Sequence, residues 1–257
     1  LGSFDVEGKT TLGDLSTAYP LVRTRARSLY LEGGLQASDD RQEALDERLY
    51  HDQLRVLYAG LTADLLDGWG GRSQLGVGLR QGLSVLGASD EGDADLSRVE
   101  GVPDATVVRV QGARYQPFGS TPWGLLTSVK GQYAWDPLLV DEEMGLGGET
   151  FGRGYDPSDI TGDRGAAMTL ELQYTRSVET SWLRGYQAYG FYDLGAVWNE
   201  DDAPPKKQSL ASAGVGVRTQ LAGRVFLDVE VARPLTREPA TRDDRDPYVY
   251  LQLTVGF

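Results

Sequence analysis

The sequence has no cysteine, so neither a disulfide framework nor thiolate chemistry can be built from it. Histidine is nearly as scarce. His51 stands alone in an acidic stretch, which leaves no material for a histidine-based metal site or triad and reads most plainly as a solvated loop residue. Basic residues are outnumbered, 25 Lys and Arg against 38 Asp and Glu, and the net charge of −13 without an offsetting basic patch speaks against a nucleic-acid partner. No run of ~20 apolar residues exists, which excludes a transmembrane helix but not spanning strands, since these need only ~10 residues of alternating character. A phosphate-binding loop of the Gly-x-x-x-x-Gly-Lys type is also missing. The chain begins Leu1-Gly2-Ser3 with no signal peptide, which predicts that residue 1 is an internal point of a longer precursor.

What the sequence has in abundance is alternation. In Tyr248–Phe257 one face reads Val249, Leu251, Leu253, Val255 and Phe257, and the other Tyr248, Tyr250, Gln252, Thr254 and Gly256. A period of two is a strand with one apolar face. Val225, Leu227, Val229 and Val231 oppose Phe226, Asp228 and Glu230 in the same way, and Met168, Leu170 and Leu172 oppose Thr169, Glu171 and Gln173. About eleven such strands are predicted, near residues 10–19, 28–38, 53–65, 73–86, 105–116, 124–135, 165–176, 185–198, 208–219, 224–233 and 247–257. Most exceed the ~5–6 residues usual in soluble sheets. No long amphipathic helix is predicted.

The connections alternate in length. Short turns lie near 20–27, 67–72, 117–122, 177–184 and 220–223, and between them come longer acidic loops at 39–52, 88–104, 136–164, 199–207 and 234–246. Short turns on one side and long loops on the other form the pattern of an outer-membrane barrel. A soluble β-sandwich also alternates, with its apolar face inside. Strand length, loop asymmetry, an apolar-face C-terminal Phe257 and tryptophans near strand ends (Trp69, Trp123, Trp135, Trp182, Trp198) favour the membrane. On that assignment Arg55, Arg80, Lys130, Glu171, Asp193, Arg218, Asp228 and Glu230 face a wet, charged interior. Facing lipid at midplane, a basic residue would cost ~2–4 kcal/mol. The predicted fold class is therefore all-β, an antiparallel transmembrane β-barrel.

One loop carries a recognisable pattern. Gly147-Gly148, then Gly152-Arg153-Gly154-Tyr155, then Gly162-Asp163-Arg164-Gly165 running into Leu170-Glu171-Leu172, resembles the sixth surface loop of the two-partner secretion outer-membrane transporters, within the outer-membrane polypeptide-transport barrel superfamily. The common core there is Val-Arg-Gly-Tyr or Val-Arg-Gly-Phe. Arg153, Gly154 and Tyr155 match, whereas Gly152 replaces the valine. A second match, Gly190-Phe191-Tyr192-Asp193-Leu194-Gly195, resembles the family's Phe-x-Asp-x-Gly motif on the second strand after that loop. Period two puts Phe191, Asp193 and Gly195 on one face.

The resemblance implies that the loop folds back into the barrel and that Arg153 pairs with Asp193; a guanidinium suits a buried carboxylate. It implies a sixteen-stranded barrel in which this loop joins the eleventh strand to the twelfth. The chain would then be the C-terminal part, residues 1–257, without the first strands and periplasmic POTRA domains. It further implies integral outer-membrane localisation and no cofactor. The partners it implies are a secreted exoprotein of adhesin or haemolysin type, outer-membrane lipid and, during biogenesis, the barrel-assembly machinery.

Asp39, Asp40, Glu43, Asp46 and Glu47, or Asp90 to Asp95, lack EF-hand spacing and read as solvated loops. Glu142-Glu143 and the carboxylates between Asp156 and Asp163 have no predicted apolar pocket to shift their pKa values, so catalysis is not expected. Within membrane functions three readings stand. One is a pore for an unfolded exoprotein, which the motif context favours. The second is a barrel-assembly insertase working at a seam, and the third is a passive porin. Two upstream POTRA domains would mark the first, more repeats the second, none the third.

Overall fold

The structure, a computed structural model, describes residues 6–45, 47–178, 180–201, 204–221 and 224–256. Phe257 lies outside the described residues, as do Asp46 and Gly223 of the predicted loops. Eleven antiparallel strands form one sheet in strict sequence order. They are β1 (Val6–Arg23), β2 (Arg27–Ala44), β3 (Glu47–Leu66), β4 (Arg72–Gly82), β5 (Thr106–Pro117), β6 (Trp123–Ala134), β7 (Arg164–Ser177), β8 (Leu183–Trp198), β9 (Lys207–Leu221), β10 (Val225–Pro234) and β11 (Tyr248–Val255). Each strand pairs with the next, and β1 and β11 are the two edges of the sheet. The antiparallel all-β expectation holds. The only helical element among the described residues is a 3-10 turn, Val140–Glu142.

Alternation sorts the sheet into two faces. Leu57, Leu61, Leu75, Val77, Leu79, Val129, Leu172, Val215, Val217, Val229, Val249 and Leu251 are all exposed on one side. Glu171, Asp193, Ser212 and Glu230 are buried on the other. A polar inside and an apolar outside invert the soluble rule, and this is the arrangement of a sheet whose outer face meets lipid. The tryptophans fall on two levels. Trp69, Trp123 and Trp182 are exposed at the short turns, while Trp135 and Trp198 are exposed at the long-loop ends of β6 and β8. There the ring can sit in the interface with its N–H hydrated.

The structure departs from two expectations. The segment 39–52 is not a loop: β2 and β3 continue through it to a tight hairpin at Leu45, with Asp39 opposite Gln53 and Arg41 opposite His51. At ~3.3 Å per residue, the 20 residues of β3 span roughly 66 Å, far more than the apolar band requires, so the hairpin runs on past it. Its outer face turns polar accordingly. His51 Nε2 lies 3.0 Å from an Asp39 oxygen and accepts from Arg41, so it is a strand residue in a polar cluster and not a solvated loop residue. Arg55 is the second correction. It shares odd parity with Leu57 and Leu61 and so belongs to the outer face of this extension. There its guanidinium donates to the carbonyls of Ser38 and Leu54. Polar groups on the apolar side are tolerated where the strand has left the hydrocarbon.

The remaining long connections fold over the sheet. Residues 83–105 run back along β3 beyond the end of β4, with Leu83 N donating to Arg55 O and Ser89 N to Gln53 O. Leu96 joins Leu54, Val56 and Leu139 in a small apolar cluster. The segment 135–163 enters the polar face, and its placement forms the candidate site.

Candidate functional site

The 135–163 segment is itself a hairpin. Met144 N donates to Gly162 O (2.8 Å), and Leu146 pairs with Ile160. Its two arms therefore descend together, and its tip is residues 147–155. The arms carry their own apolar core, Met144, Leu146, Phe151, Tyr155 and Ile160, packed on Ala167, Val197 and Leu210 of β7, β8 and β9. A loop with a core of this kind has a defined conformation rather than a solvated one. The tip is closed by Gly147 N to Phe151 O (2.9 Å), Gly148 N to Tyr155 O (3.0 Å) and Tyr155 N to Gly152 O (2.9 Å).

Gly152 has φ +89, a backbone region a β-branched residue rarely occupies, and a Cβ there would sit 2.7 Å from Leu210. Glycine in place of the common valine is thus what this tip conformation requires. Gly154 is needed for a different reason. A Cβ on it would lie 2.6 Å from the backbone of Arg233 and Pro234, so only glycine lets the tip approach the end of β10 so closely.

This tip delivers Arg153 into the sheet. Nε donates to Asp193 Oδ2 (3.1 Å) and Nη2 to Asp193 Oδ1 (3.0 Å), a bidentate fork. Nη1 reaches Glu171 (3.0 Å) and Glu230 (3.1 Å). The guanidinium carbon lies 3.3 Å from the centroid of the Phe191 ring. Asp193 is fully buried and its side chain accepts further bonds from the Gly152 and Arg153 backbone N–H groups (3.2 and 3.0 Å) and from Ser212. The carboxylates come from β7, β8 and β10. Strands ~4.8 Å apart put β7 and β10 roughly 14 Å from each other along the sheet, so one guanidinium bridges them only because the sheet curves around it.

A second layer surrounds the first. Arg218 of β9 binds Glu171 (2.7 Å) and Asp228 (3.1 Å) and stacks on Tyr189 at 3.8 Å. The Tyr189 hydroxyl donates to Glu230 (2.9 Å). Four carboxylates against two guanidiniums make this end of the wall acidic. Tyr155 is fully buried, its hydroxyl donating to Ala211 O (2.9 Å), and the Tyr250 hydroxyl of β11 donates to the Arg153 carbonyl (2.8 Å).

The Gly162–Gly165 part of the pattern occupies the base of the hairpin. Asp163 is fully buried and accepts from Leu138 N and Glu200 N, both at 2.7 Å, and from Arg98. Arg98 also binds Glu143 (2.8 Å) and Asp201, tying three long loops together. Arg164 points elsewhere: it donates to Ala134 O, pairs with Glu200 and covers the Tyr133 ring at 4.2 Å. Gly162 packs against Val197, Gly165 against Met144 and Gly195 against Leu146, so all three mark close contact between hairpin and strand.

The structure thus brings Gly152, Arg153, Gly154, Tyr155, Phe191 and Asp193 into one cluster and leaves Asp163 and Arg164 in another. Sequence reasoning assigned Glu171, Arg218 and Glu230 to the inner face but not to the cluster, and it passed over Tyr189, Ser212 and Arg98. Face parity was the available signal for the strand residues; cross-strand distance was not readable.

Residues 1–219 match the family described as haemolysin secretion/activation protein ShlB/FhaC/HecB. The outer membrane transporter CdiB of Dickeya dadantii (strain 3937) is 27% identical over 176 residues, covering 67% of this chain and 31% of that protein. Among solved structures, CdiB from Escherichia coli superposes with a TM-score of 0.85 at 23% identity over 99% of this chain and 46% of its own. CdiB from Acinetobacter baumannii gives 0.76 at 18% identity, covering 97% of this chain and 42% of its own. The chain spans less than half the length of each. The family is one of outer-membrane transporters rather than enzymes, and the sheet described above, polar within and apolar without, is an integral outer-membrane structure. With the family match extending over most of its length, the chain belongs to the haemolysin secretion/activation family ShlB/FhaC/HecB.

Proposed function

We propose that the chain forms the C-terminal wall of a larger outer-membrane barrel through which an unfolded exoprotein, of adhesin or haemolysin type, passes to the cell surface. The 136–164 loop is its conformational element, held inside by Arg153. Besides the exoprotein, the partners are outer-membrane lipid and the barrel-assembly machinery that inserts the barrel. The supporting observation is the Arg153 cluster. A loop arginine shared by Asp193, Glu171 and Glu230 is far more than a loop needs to stay ordered, and a passive porin has no use for it. An ion network of this kind has discrete docked and undocked states, which suits a switch.

Removing one member of a buried ion pair costs about 3–5 kcal/mol, because the partner charge stays buried. The experiment is secretion of the partner exoprotein by the intact transporter carrying Arg153→Ala, Asp193→Ala or both, with barrel levels checked by heat-modifiable gel mobility. Each single variant is expected to lose secretion at normal barrel levels, and the double variant to add little. Unchanged secretion, or full additivity, would sink the assignment.

A further inference from the structure

The other end of the same loop is held with opposite charge. Glu142, in the 3-10 turn Val140–Glu142, is gripped by two strand arginines. Arg80 of β4 donates to both carboxylate oxygens (2.6 and 3.0 Å), and Arg109 of β5 donates to Oε2 (3.0 Å). The Glu142 backbone carbonyl is bound as well, by Arg109 Nη2 (3.1 Å) and by Gln132 Nε2 of β6 (2.8 Å). Next to them, Lys130 Nζ donates to the Gly145 carbonyl (2.8 Å). Among the described residues the ion pairs of Arg80 and Arg109 are both with Glu142. A cleft of about 510 Å³ lies between this wall and the loop, floored by Gly60, Gly76 and Gly78, whose lack of side chains leaves the room.

These contacts recognise a glutamate as part of a polypeptide, through its carboxylate and its own carbonyl together. We infer that Arg80, Arg109, Lys130 and Gln132 form a binding site for an acidic peptide segment, and that Glu142 is its built-in occupant. The site takes acidic stretches of the polypeptide in transit when the loop withdraws. The inference rests on the pore reading above for that last role, but the binding site itself is independent of it. One guanidinium forked on both oxygens of a carboxylate, with a second on one oxygen and the neighbouring carbonyl, is a selective receptor for that group. Since the occupant is covalently tethered, it competes at high effective concentration, so an external acidic peptide binds well only when the tethered carboxylate is weakened.

The test uses the intact transporter in planar bilayers, with hexaglutamate as probe and hexalysine as control. Glu142→Gln is expected to tighten hexaglutamate block by about tenfold, since it replaces charge-assisted contacts by neutral ones. Arg80→Gln with Arg109→Gln in that background is expected to abolish the block, while Arg80→Lys with Arg109→Lys, which keeps the charge, retains a weaker one. Heat-modifiable mobility confirms a folded barrel for each. Block that ignores Glu142 and both arginines, or hexalysine block that follows the same variants, overturns the site. If Arg153→Ala leaves secretion intact while hexaglutamate block follows these variants, the transport reading fails and the peptide site stands.

Discussion

Arg153 and Gly152 are adjacent and owe their places to unrelated physics. Arg153 is held by charge and hydrogen bonds on three strands, whereas Gly152 is held by a backbone torsion. Gly152→Val, which restores the residue common in related loops, is therefore expected to harm this chain. A β-branched residue at φ +89 costs about 1–3 kcal/mol, and the side chain would also press on Leu210. Protease accessibility of the 147–155 tip in the folded barrel measures this, and a tip as protected as the wild type would refute it. Tyr155→Phe removes a buried hydroxyl that serves Ala211 O, with an expected cost of about 1–3 kcal/mol in the same assay. Of these residues, Arg153 and Tyr155 stood out in the sequence because an arginine between glycines in a polar loop is otherwise unexplained. Arg98 did not, because its three acidic partners come from loops whose mutual approach no local pattern encodes.

At the scale of elements, the hairpin 135–163 is docked at its tip, at its base and along its outer arm. The last contact is to the loop 235–247 and to Tyr248, the first residue of β11. The Thr241 hydroxyl donates to Asp156 Oδ2 (2.6 Å) and the Tyr248 hydroxyl to Oδ1 (3.0 Å). These bonds, Thr241 foremost, outweigh partial burial and, with the charge of Arg242, hold the Asp156 carboxyl below its ordinary 3.8. A depressed carboxyl stabilises the docked state above its unfolded value and ceases to do so as pH falls through its folded one. Loop–loop docking should thus weaken only below pH 3.8. Hydrogen exchange across residues 235–247, corrected for the intrinsic rate, is expected to lose protection there in the wild type and to show no such step in Asp156→Asn. A step that persists in the variant would assign it elsewhere. Strand boundaries were read to within a few residues from alternation wherever one face meets lipid. Beyond the apolar band that signal vanishes, which is why the polar extension of β2 and β3 resembled a loop.

For the whole molecule, the governing fact is an open sheet with bare edges at β1 and β11. In hydrocarbon every unpaired backbone N–H and C=O costs several kcal/mol, and only a closed barrel avoids the loss. The 257-residue chain refolded by itself into detergent or liposomes is therefore expected to give no heat-modifiable, SDS-resistant monomer. A compact monomeric band that unfolds on boiling would show that the sheet can close upon itself. The inner wall is also divided by charge at this scale. Glu171, Asp193, Asp228 and Glu230, with Arg218 among them, line one side and Arg80, Arg109 and Lys130 the other; the loop meets the first with Arg153 and the two arginines of the second with Glu142.

The sequence by itself determined the class of fold, the two faces within the apolar band, the connections other than 39–52, and the loop that carries the distinctive motif. All of these are local, because a period of two and a turn signal are properties of neighbouring residues. Only the tertiary structure decided that three carboxylates from separate strands share one guanidinium. It also decided that Glu142 occupies a pair of arginines and that Arg98 joins three loops. Those facts depend on sheet curvature and on the descent of one loop into its interior, and contacts between residues far apart in the chain leave no periodicity to read.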